Sequence, residues 1–505
     1  MAGEHILAID QGTTSSRSIV YDGVGKRVGI AQEAVAATFR HPGWVEQDAV
    51  EIWETTRRVI DGAIAAASLG AADVAAIGIT NQRETTILWD RATGEPMAPA
   101  IVWQSRQSSK VVDGIARRGL TERYQEVTGL VPDAYFSATK IAWLLEQQPE
   151  LRRRAEAGEI AFGTVESWLI WKLTGGARHV TDVANASRTM LMDLETLAWS
   201  SELLDDLAIP IAMLPEIVPT VGTELTTSAG VIGAEIPITG SAGDQQAALF
   251  GQACFRPGQA KNTYGTGSFL LLNCGSTRPR STHRLLSTVA WVMAGETTYA
   301  LEGSVFVTGS AVQWLRDGLG IIGSAAEIEP LARSVDDSGG VAFVPALSGL
   351  GAPEWDPHAR GTIVGITRGT TPGHIARATL EAIAHQIDDV VAAMNADASE
   401  PLRELRVDGG ASANDLLMQM QADILGVPVV RPVDIETTAL GASMLARVGL
   451  NLSLSLDGLV EAWTVDRVFE PSISEDERVS RRRTWRRAVE RSQGWAEDQE
   501  RGARS

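Results

Sequence analysis

Cysteine is nearly absent from this chain of 505 residues, which has only Cys254 and Cys274. Two thiols make no disulfide framework at this length and fit no four-ligand zinc spacing, so a reducing cytoplasm is the expected compartment. Lysine is scarce as well. Only Lys26, Lys110, Lys140, Lys172 and Lys261 occur, and arginine carries the remaining positive charge. Positive charge is itself in deficit, with 44 basic residues against 63 acidic ones and a formal net charge of −19. Such a balance repels a phosphate backbone, so no nucleic-acid partner is expected. No apolar run approaches the roughly 18 residues that would indicate a membrane span. The run Ile6–Ile9 follows no basic segment and is too short for a signal peptide.

Several catalytic signatures are also missing. Gly25-Lys26 lacks the glycine spacing of a P-loop, and Gly265-Thr266-Gly267 is not followed by the later glycine of a dinucleotide fingerprint. Neither His-Glu-x-x-His nor Gly-x-Ser-x-Gly occurs. Hydride transfer, zinc hydrolysis and serine hydrolysis therefore lose their usual markers.

What is present supports a large folded protein. Hydrophobic residues make up 44% and include 14 Trp, and at roughly 100–200 residues per domain the length gives two to four domains. Apolar runs at Ile6–Ile9 and Ser18–Tyr21 flank Gly12, Thr13, Thr14 and Ser15, which reads as strand, tight turn, strand. The plan recurs around Gly265-Thr266-Gly267, with Phe269–Leu272 as the returning strand, so two related halves are expected. The spacing predicts a strand at Ile236–Thr239 leading to a helix opened by Asp244, then a connector at Phe255–Gln259. Further strands are expected at Val74–Thr80, Ala100–Trp103, Gly340–Val344 and Leu405–Val407. Helices are expected at Val50–Ala66, Lys140–Leu145, Ile375–Met394 and Asp415–Leu425. This alternation is α/β, with sheets covered by helices. The tail from Glu475 to Gly502 starts acidic and turns basic, as a capped surface helix does.

The two turns offer phosphate chemistry. A Gly/Thr hairpin presents backbone N–H groups and hydroxyls in a concave set suited to phosphate oxygens. Asp10 ends the strand before the first turn, where a carboxylate suits hydrated Mg²⁺, and Arg17 beyond it offers a charge-assisted fork. Either hairpin alone also reads as an ordinary polar turn. Asp408-Gly409-Gly410 closes a strand before a helix near Ala413, and paired glycines let backbone approach a flat ligand. Gly303–Ser310, with Gln313 one turn on, is a weaker signal of the same kind.

Taken together, IDQGTTSSR, GITNQRETT, GDQQAALFGQ, KNTYGTGSF, GLGAPEWDPHARG and RVDGGASAN closely resemble the glycerol kinases, carbohydrate kinases built on the actin-like ATPase fold. The resemblance runs from Ile6 to about Ala446. It implies two actin-like ATPase (ribonuclease H-like) α/β domains flanking a central cleft, at residues 1–250 and 251–505, with a C-terminal helix at 475–502. ATP, Mg²⁺ and glycerol are the implied ligands. Thr13, Thr14, Ser15 and Arg17, with Thr266, Gly309, Gln313, Gly410 and Asn414, are the implied nucleotide contacts. Arg83, Glu84, Tyr135, Asp244 and Gln245 are the implied polyol contacts, with Trp103 and Phe269 as an apolar wall and Asp10 on the metal side. Asp244 is the expected general base, with helix capping as its competing role.

Polyol chemistry asks for these residue types, since hydroxyls need paired donors and acceptors and the carbon stem needs a flat face. The sequence also admits simpler readings, a solvated ion pair for Arg83–Glu84 and plain core packing for Trp103 and Phe269. A kinase for a longer polyol or ketose, or a nucleotide-gated protein of the actin or chaperone type, are the competing functions. Departures from the family pattern are informative. Residues Val221–Glu235 contain no His and Thr226–Glu235 neither Lys nor Arg, so regulation by His phosphorylation or by fructose 1,6-bisphosphate is not expected. Relatives associate as dimers or tetramers, and a homo-oligomer is the expectation here.

Overall fold

The two Gly/Thr turns occupy equivalent places in two copies of one sheet. The computed structural model describes residues 5–450 and 455–496. In the first sheet, His5–Gln11 pairs antiparallel with Ser15–Tyr21, which pairs antiparallel with Arg27–Ala34. On its other side His5–Gln11 runs parallel to Val74–Asn81, which runs parallel to Pro237–Gly243, with Val221–Thr226 antiparallel at the edge. The second sheet repeats the arrangement. Gln259–Tyr264 pairs antiparallel with Ser268–Gly275 and that strand with Glu296–Val305, while on the other side Glu404–Asp408 and then Val429–Pro432 follow in parallel. Leu286–Met293 and Val465–Phe469 extend its two edges.

The strand His5–Gln11 is apolar throughout its centre because both faces are covered. Leu7 and Ile9 pack with Ile52, Ile60 and Ala63 of the helix Ala49–Ala66. The alternate residues Ile6 and Ala8 pack with Ala439, Ala442 and Ala446 of the helix Thr437–Leu450, which comes from the far end of the chain. Small residues permit that approach: a Cβ on Gly78 would lie 2.0 Å from the Ala442 carbonyl oxygen. The same helix crosses the helix Asp244–Gly251, where a Cβ on Gly441 would lie 1.8 Å from the Ala247 oxygen. Asp244 thus begins a helix whose back is fixed against the carboxy-terminal half.

Several expected elements shift in extent. The strand at Ala100 ends at Ile101, so Trp103 has left the ladder. The strand before Asp244 spans Pro237–Gly243, that near 340 is Ala342–Val344, and Glu404–Asp408 is one residue longer at each end than expected. The helices Ser137–Gln147 and Pro372–Asp397 are longer, and Asp415–Leu425 is as expected. The tail helix, expected over 475–502, runs Glu475–Ser492. Gly494 then takes a φ of 64° and donates to Asp356 Oδ2 at 2.9 Å, which turns the chain off the helical path. Residues 497–502 lie outside the described residues. Ser474 caps this helix, and its buried face of Trp485, Ala488 and Val489 packs against Val344, Leu350 and Ala382. Among the described residues no helix is long and apolar enough to cross a membrane.

Candidate active site

Arg83 and Glu84 follow the strand Val74–Asn81, and their exposure of 3% and 1% excludes a solvated ion pair. Arg83 lays its fork on Glu302, with Nη1 donating to Oε2 at 2.5 Å and Nη2 to Oε1 at 2.9 Å. Its Nε lies 3.2 Å from Asp244 Oδ1 and 3.8 Å from Glu84 Oε1. Glu84 sits at φ 60°, a left-handed conformation unusual for a side chain of its size. Its carbonyl is held there by Ser137 Oγ at 3.1 Å and Lys140 Nζ at 3.3 Å, and its Oε1 accepts from Arg188 Nε at 2.8 Å.

Asp244 is the first residue of its helix, and Gly243 takes the N-cap position without a side-chain bond. The carboxylate accepts the adjacent Gln245 N–H at 2.7 Å, so it does not span to later amides as a capping aspartate does. Burial raises its pKa, against the opposing pull of Arg83 and Lys261. Gln245 accepts from Lys261 Nζ, which also donates to Thr263 Oγ1 at 2.9 Å and to the Phe269 carbonyl at 3.2 Å. Burial lowers Lys261 to about 8, although Asp408 and Asp244 act to hold it up.

The three aromatics form one wall. Trp103 meets Tyr135 edge-on at 5.5 Å between ring centroids and Phe269 at 6.1 Å, and all three are only partly buried, unlike core rings. Trp103 Nε1 donates to Thr13 Oγ1 at 2.9 Å, which ties this wall to the first Gly/Thr turn. That turn is closed by Gly12 N–H to the Ser15 carbonyl at 2.9 Å, while Gln47 Nε2 donates to the Thr13 carbonyl at 2.6 Å and Val35 N–H to that of Thr14 at 3.0 Å. Ser15 Oγ accepts from Gln32 at 2.9 Å. Arg17 pairs with Glu436, and its buried Nε has no hydrogen-bond partner among the described residues. Asp10 is raised to about 6 by burial and by the carboxylates of Asp244 and Glu436, with Arg17 opposing.

The second turn is fastened to a helix. Gly309, Ser310 and Thr308 donate backbone N–H groups to the carbonyls of Gly265 and Thr266 at 3.0 to 3.1 Å, and the helix Gly309–Asp317 starts there. A Cβ on Gly309 would lie 2.5 Å from the Gly265 oxygen, which requires glycine. Thr266 and Gln313 are exposed at the rim. Gly409, at φ 81°, lies against Tyr264, whereas Gly410 faces open space. Asn414 caps the helix Asp415–Leu425 by accepting Leu417 N–H at 2.9 Å, which leaves its amide nitrogen.

The chain resembles known proteins along nearly its whole length. Residues 5–251 match the N-terminal domain, and residues 260–450 the C-terminal domain, of the FGGY family of carbohydrate kinases. This chain belongs to that family. A glycerol kinase of Aromatoleum aromaticum is 57% identical over 491 residues, 97% of this chain and 99% of the relative, and one of Deinococcus radiodurans is 55% identical over 497, 98% and 99%. Among solved structures, Plasmodium falciparum glycerol kinase with ADP superposes with a TM-score of 0.91 at 36% identity, covering 97% of this chain and 98% of that one. A xylulose kinase of Lactobacillus acidophilus has a TM-score of 0.86 at 23% identity over 96% and 97%, a likeness of fold alone.

This FGGY kinase thus brings Arg83, Glu84, Trp103, Tyr135, Asp244, Gln245 and Phe269 into one bonded cluster that reaches Thr13. Gly410 and Asn414 stand on a separate turn, and none of the contacts described joins them to that cluster. Four charged residues not assigned to the site from the sequence stand behind the cluster: Lys140, Arg188, Lys261 and Glu302. All four are fully buried. The available signal was the scarcity of lysine, since two of five sit here. Among the described residues no cluster of three or more His, Cys, Asp or Glu side chains could hold a metal ion alone. A hydrated Mg²⁺, which takes one or two carboxylates and completes its shell with water and phosphate oxygens, fits Asp10.

Proposed function

We propose that this chain phosphorylates glycerol from ATP to give sn-glycerol 3-phosphate. The observation that carries the reading is the position of Asp244. It heads a helix beside Arg83, in a cluster that joins the aromatic wall through Gln245, Lys261 and Phe269, and Trp103 ties that wall to the first turn. The glycerol kinases among its relatives, over half identical across nearly the whole length, support the same substrate.

In this reading the polyol hydroxyls bond to Arg83, Glu84, Asp244 and Gln245, while Trp103, Tyr135 and Phe269 face its carbon stem. Asp244 accepts the proton of the primary hydroxyl as that oxygen attacks the γ-phosphorus in line. Thr13, Thr14, Ser15 and Arg17 face the phosphates from one side, and the unpartnered Arg17 Nε is a donor suited to them. Thr266, Gly309, Gln313, Gly410 and Asn414 hold the nucleotide from the other. Mg²⁺ beside Asp10 would supply charge neutralisation for the phosphate oxygens. Oriented attack is worth about 7–11 kcal/mol, so the fixed geometry of the cluster carries most of the rate.

The assignment extends to organisation. Residues 1–250 form the polyol and phosphate domain and 251–505 the nucleotide domain, except that the helix Thr437–Leu450 of the latter covers the first sheet, in a cytoplasmic homo-oligomer. Regulation through the 226–235 segment by a bisphosphate is not part of this reading. The deciding measurement is ATP turnover with and without glycerol, then with pentitols and ketoses; turnover indifferent to glycerol refutes the proposal. Asp244→Asn is expected to keep ATP binding and lose about 10²–10⁴-fold in transfer, and retained transfer would remove its role as base.

A further inference from the structure

Glu302 lies in the middle of the strand Glu296–Val305 of the carboxy-terminal sheet, a place where a carboxylate has no reason to be unless it is paired. Its partners come from the other half of the chain. Besides the two bonds from Arg83, it accepts Arg188 Nη2 at 3.0 Å. Arg188 in turn donates Nε to Glu84, and its guanidinium stands 5.9 Å from the Tyr135 ring and 5.5 Å from that of Phe136. Two arginines and two glutamates therefore form a closed circuit: Glu84 to Arg188, Arg188 to Glu302, Glu302 to Arg83, and Arg83 beside Glu84 again.

The circuit decides which edge of Arg83 faces the cleft. A guanidinium has five N–H donors in a rigid fork. Glu302 takes one from each terminal nitrogen, and Gln246 Oε1 lies 3.3 Å from Nη1, so the fork points away from Asp244 and only the Nε edge is turned toward it. Without Glu302 the best remaining fork-shaped acceptor near Arg83 is Asp244 itself. A bidentate pair there would occupy the oxygens that must receive a proton and would withdraw Arg83 from the polyol.

We propose that Glu302 and Arg188 are positioning residues for the polyol subsite, a charge clamp supplied by both halves that keeps the terminal fork of Arg83 off the base and leaves only its Nε edge beside Asp244. The proposal rests on the reading of Arg83, Glu84 and Asp244 given above. Neither clamp residue needs to touch substrate. Their effect is on where the donors and acceptors of the subsite point, so it should be confined to the polyol and to proton removal, leaving the nucleotide side alone.

The test compares wild type with Glu302→Gln, Glu302→Asp and Arg188→Lys, measuring melting temperature and the KM for glycerol and for ATP separately from kcat. Glu302→Gln is expected to raise the glycerol KM by about tenfold or more and to lower kcat, with the ATP KM within about twofold of wild type. Glu302→Asp keeps the charge on a shorter stem and should recover part of the loss. A folded Glu302→Gln with wild-type glycerol KM and kcat, or one in which both KM values rise in parallel, overturns the clamp. If Glu302→Gln does not fold, Glu302→Asp and Arg188→Lys decide by the same split: a rise in glycerol KM alone supports the clamp, and an unchanged or parallel response overturns it. A wild type whose turnover ignores glycerol refutes the underlying function instead, a result separable from any of these.

Discussion

Gly441→Ala separates two opposed expectations for the helix crossing behind Asp244. On helix propensity alone, alanine in place of glycine in a helix interior stabilises by about 1 kcal/mol. The structure predicts the reverse. The new Cβ would lie 1.8 Å from the Ala247 oxygen, 2.6 Å from the Ala247 carbonyl carbon and 2.9 Å from the Gly251 nitrogen, all backbone atoms of the partner helix. No rotamer relieves such contacts. The helices Thr437–Leu450 and Asp244–Gly251 must separate by about 1 Å, and forced overpacking of this kind costs about 1–3 kcal/mol, at its upper end for backbone against backbone. With the propensity gain subtracted, the net loss is about 2 kcal/mol, a fall in melting temperature of about 2 °C for a chain of this length. Asp244 and Gln245 lie within the turn before Ala247 on the displaced helix, and a misplacement of about 1 Å at a reacting centre can cost about 10²-fold in rate. Differential scanning calorimetry and a coupled assay of ADP release measure the two effects. A variant with a raised melting temperature and unchanged kcat would refute both the closeness of the crossing and its role in placing Asp244.

Two other substitutions test different parts of the molecule. Gly410→Ala meets nothing within 4 Å and has no positive φ, so its melting temperature should match wild type while the KM for ATP rises and that for glycerol does not; an unchanged ATP KM would remove Gly410 from the nucleotide site. Asp389, under the tail helix, accepts from Trp485 Nε1 at 2.6 Å and is raised to about 7 by burial. A raised carboxylate favours the folded state below its unfolded pKa and loses that contribution as pH rises through the folded value. Asp389→Asn keeps the acceptor and cannot ionise, so its melting temperature relative to wild type should climb between about pH 4 and pH 7 and then stay level. A difference independent of pH would show that Asp389 does not titrate in that window.

The hairpins were legible in the sequence because apolar runs bracket a Gly/Thr turn, and their recurrence announced the second sheet. Arg27–Ala34 was not legible, since a mostly exposed outer strand carries mixed polar residues and no clean alternation. The helix Thr437–Leu450 belongs to the amino-terminal sheet although some 190 residues separate it from Asp244, and small residues at a crossing give no periodic signal of their partner. Of the candidate site, Arg83, Glu84, Asp244 and the two turns were named from the sequence, and the structure brings Arg83, Glu84 and Asp244 together. Glu302 and Arg188 were not legible. A lone charge, whether in a strand as Glu302 is or in a turn as Arg188 is, reads as a surface position, and only the arrival of a counter-charge from a distant segment makes it a core residue.

Four of the contacts between the halves have a common feature. Arg17 reaches Glu436, Arg83 reaches Glu302, Gln245 accepts from Lys261, and Trp103 meets Phe269, so each begins on a residue assigned to the site in one half and ends in the other. Breaking one partner of a buried ion pair costs about 3–5 kcal/mol, because the remaining charge is left without water or counter-ion. Glu302 is therefore satisfied only when Arg83 and Arg188 of the other half reach it, which couples docking of the halves to the placement of Arg83. The net charge of −19 fits this construction. General attraction for anions is absent, and positive charge is concentrated where acidic neighbours fix its direction. On the function proposed above, a polyphosphate would be selected by the geometry of a few arginines, N–H groups and hydroxyls drawn from both halves.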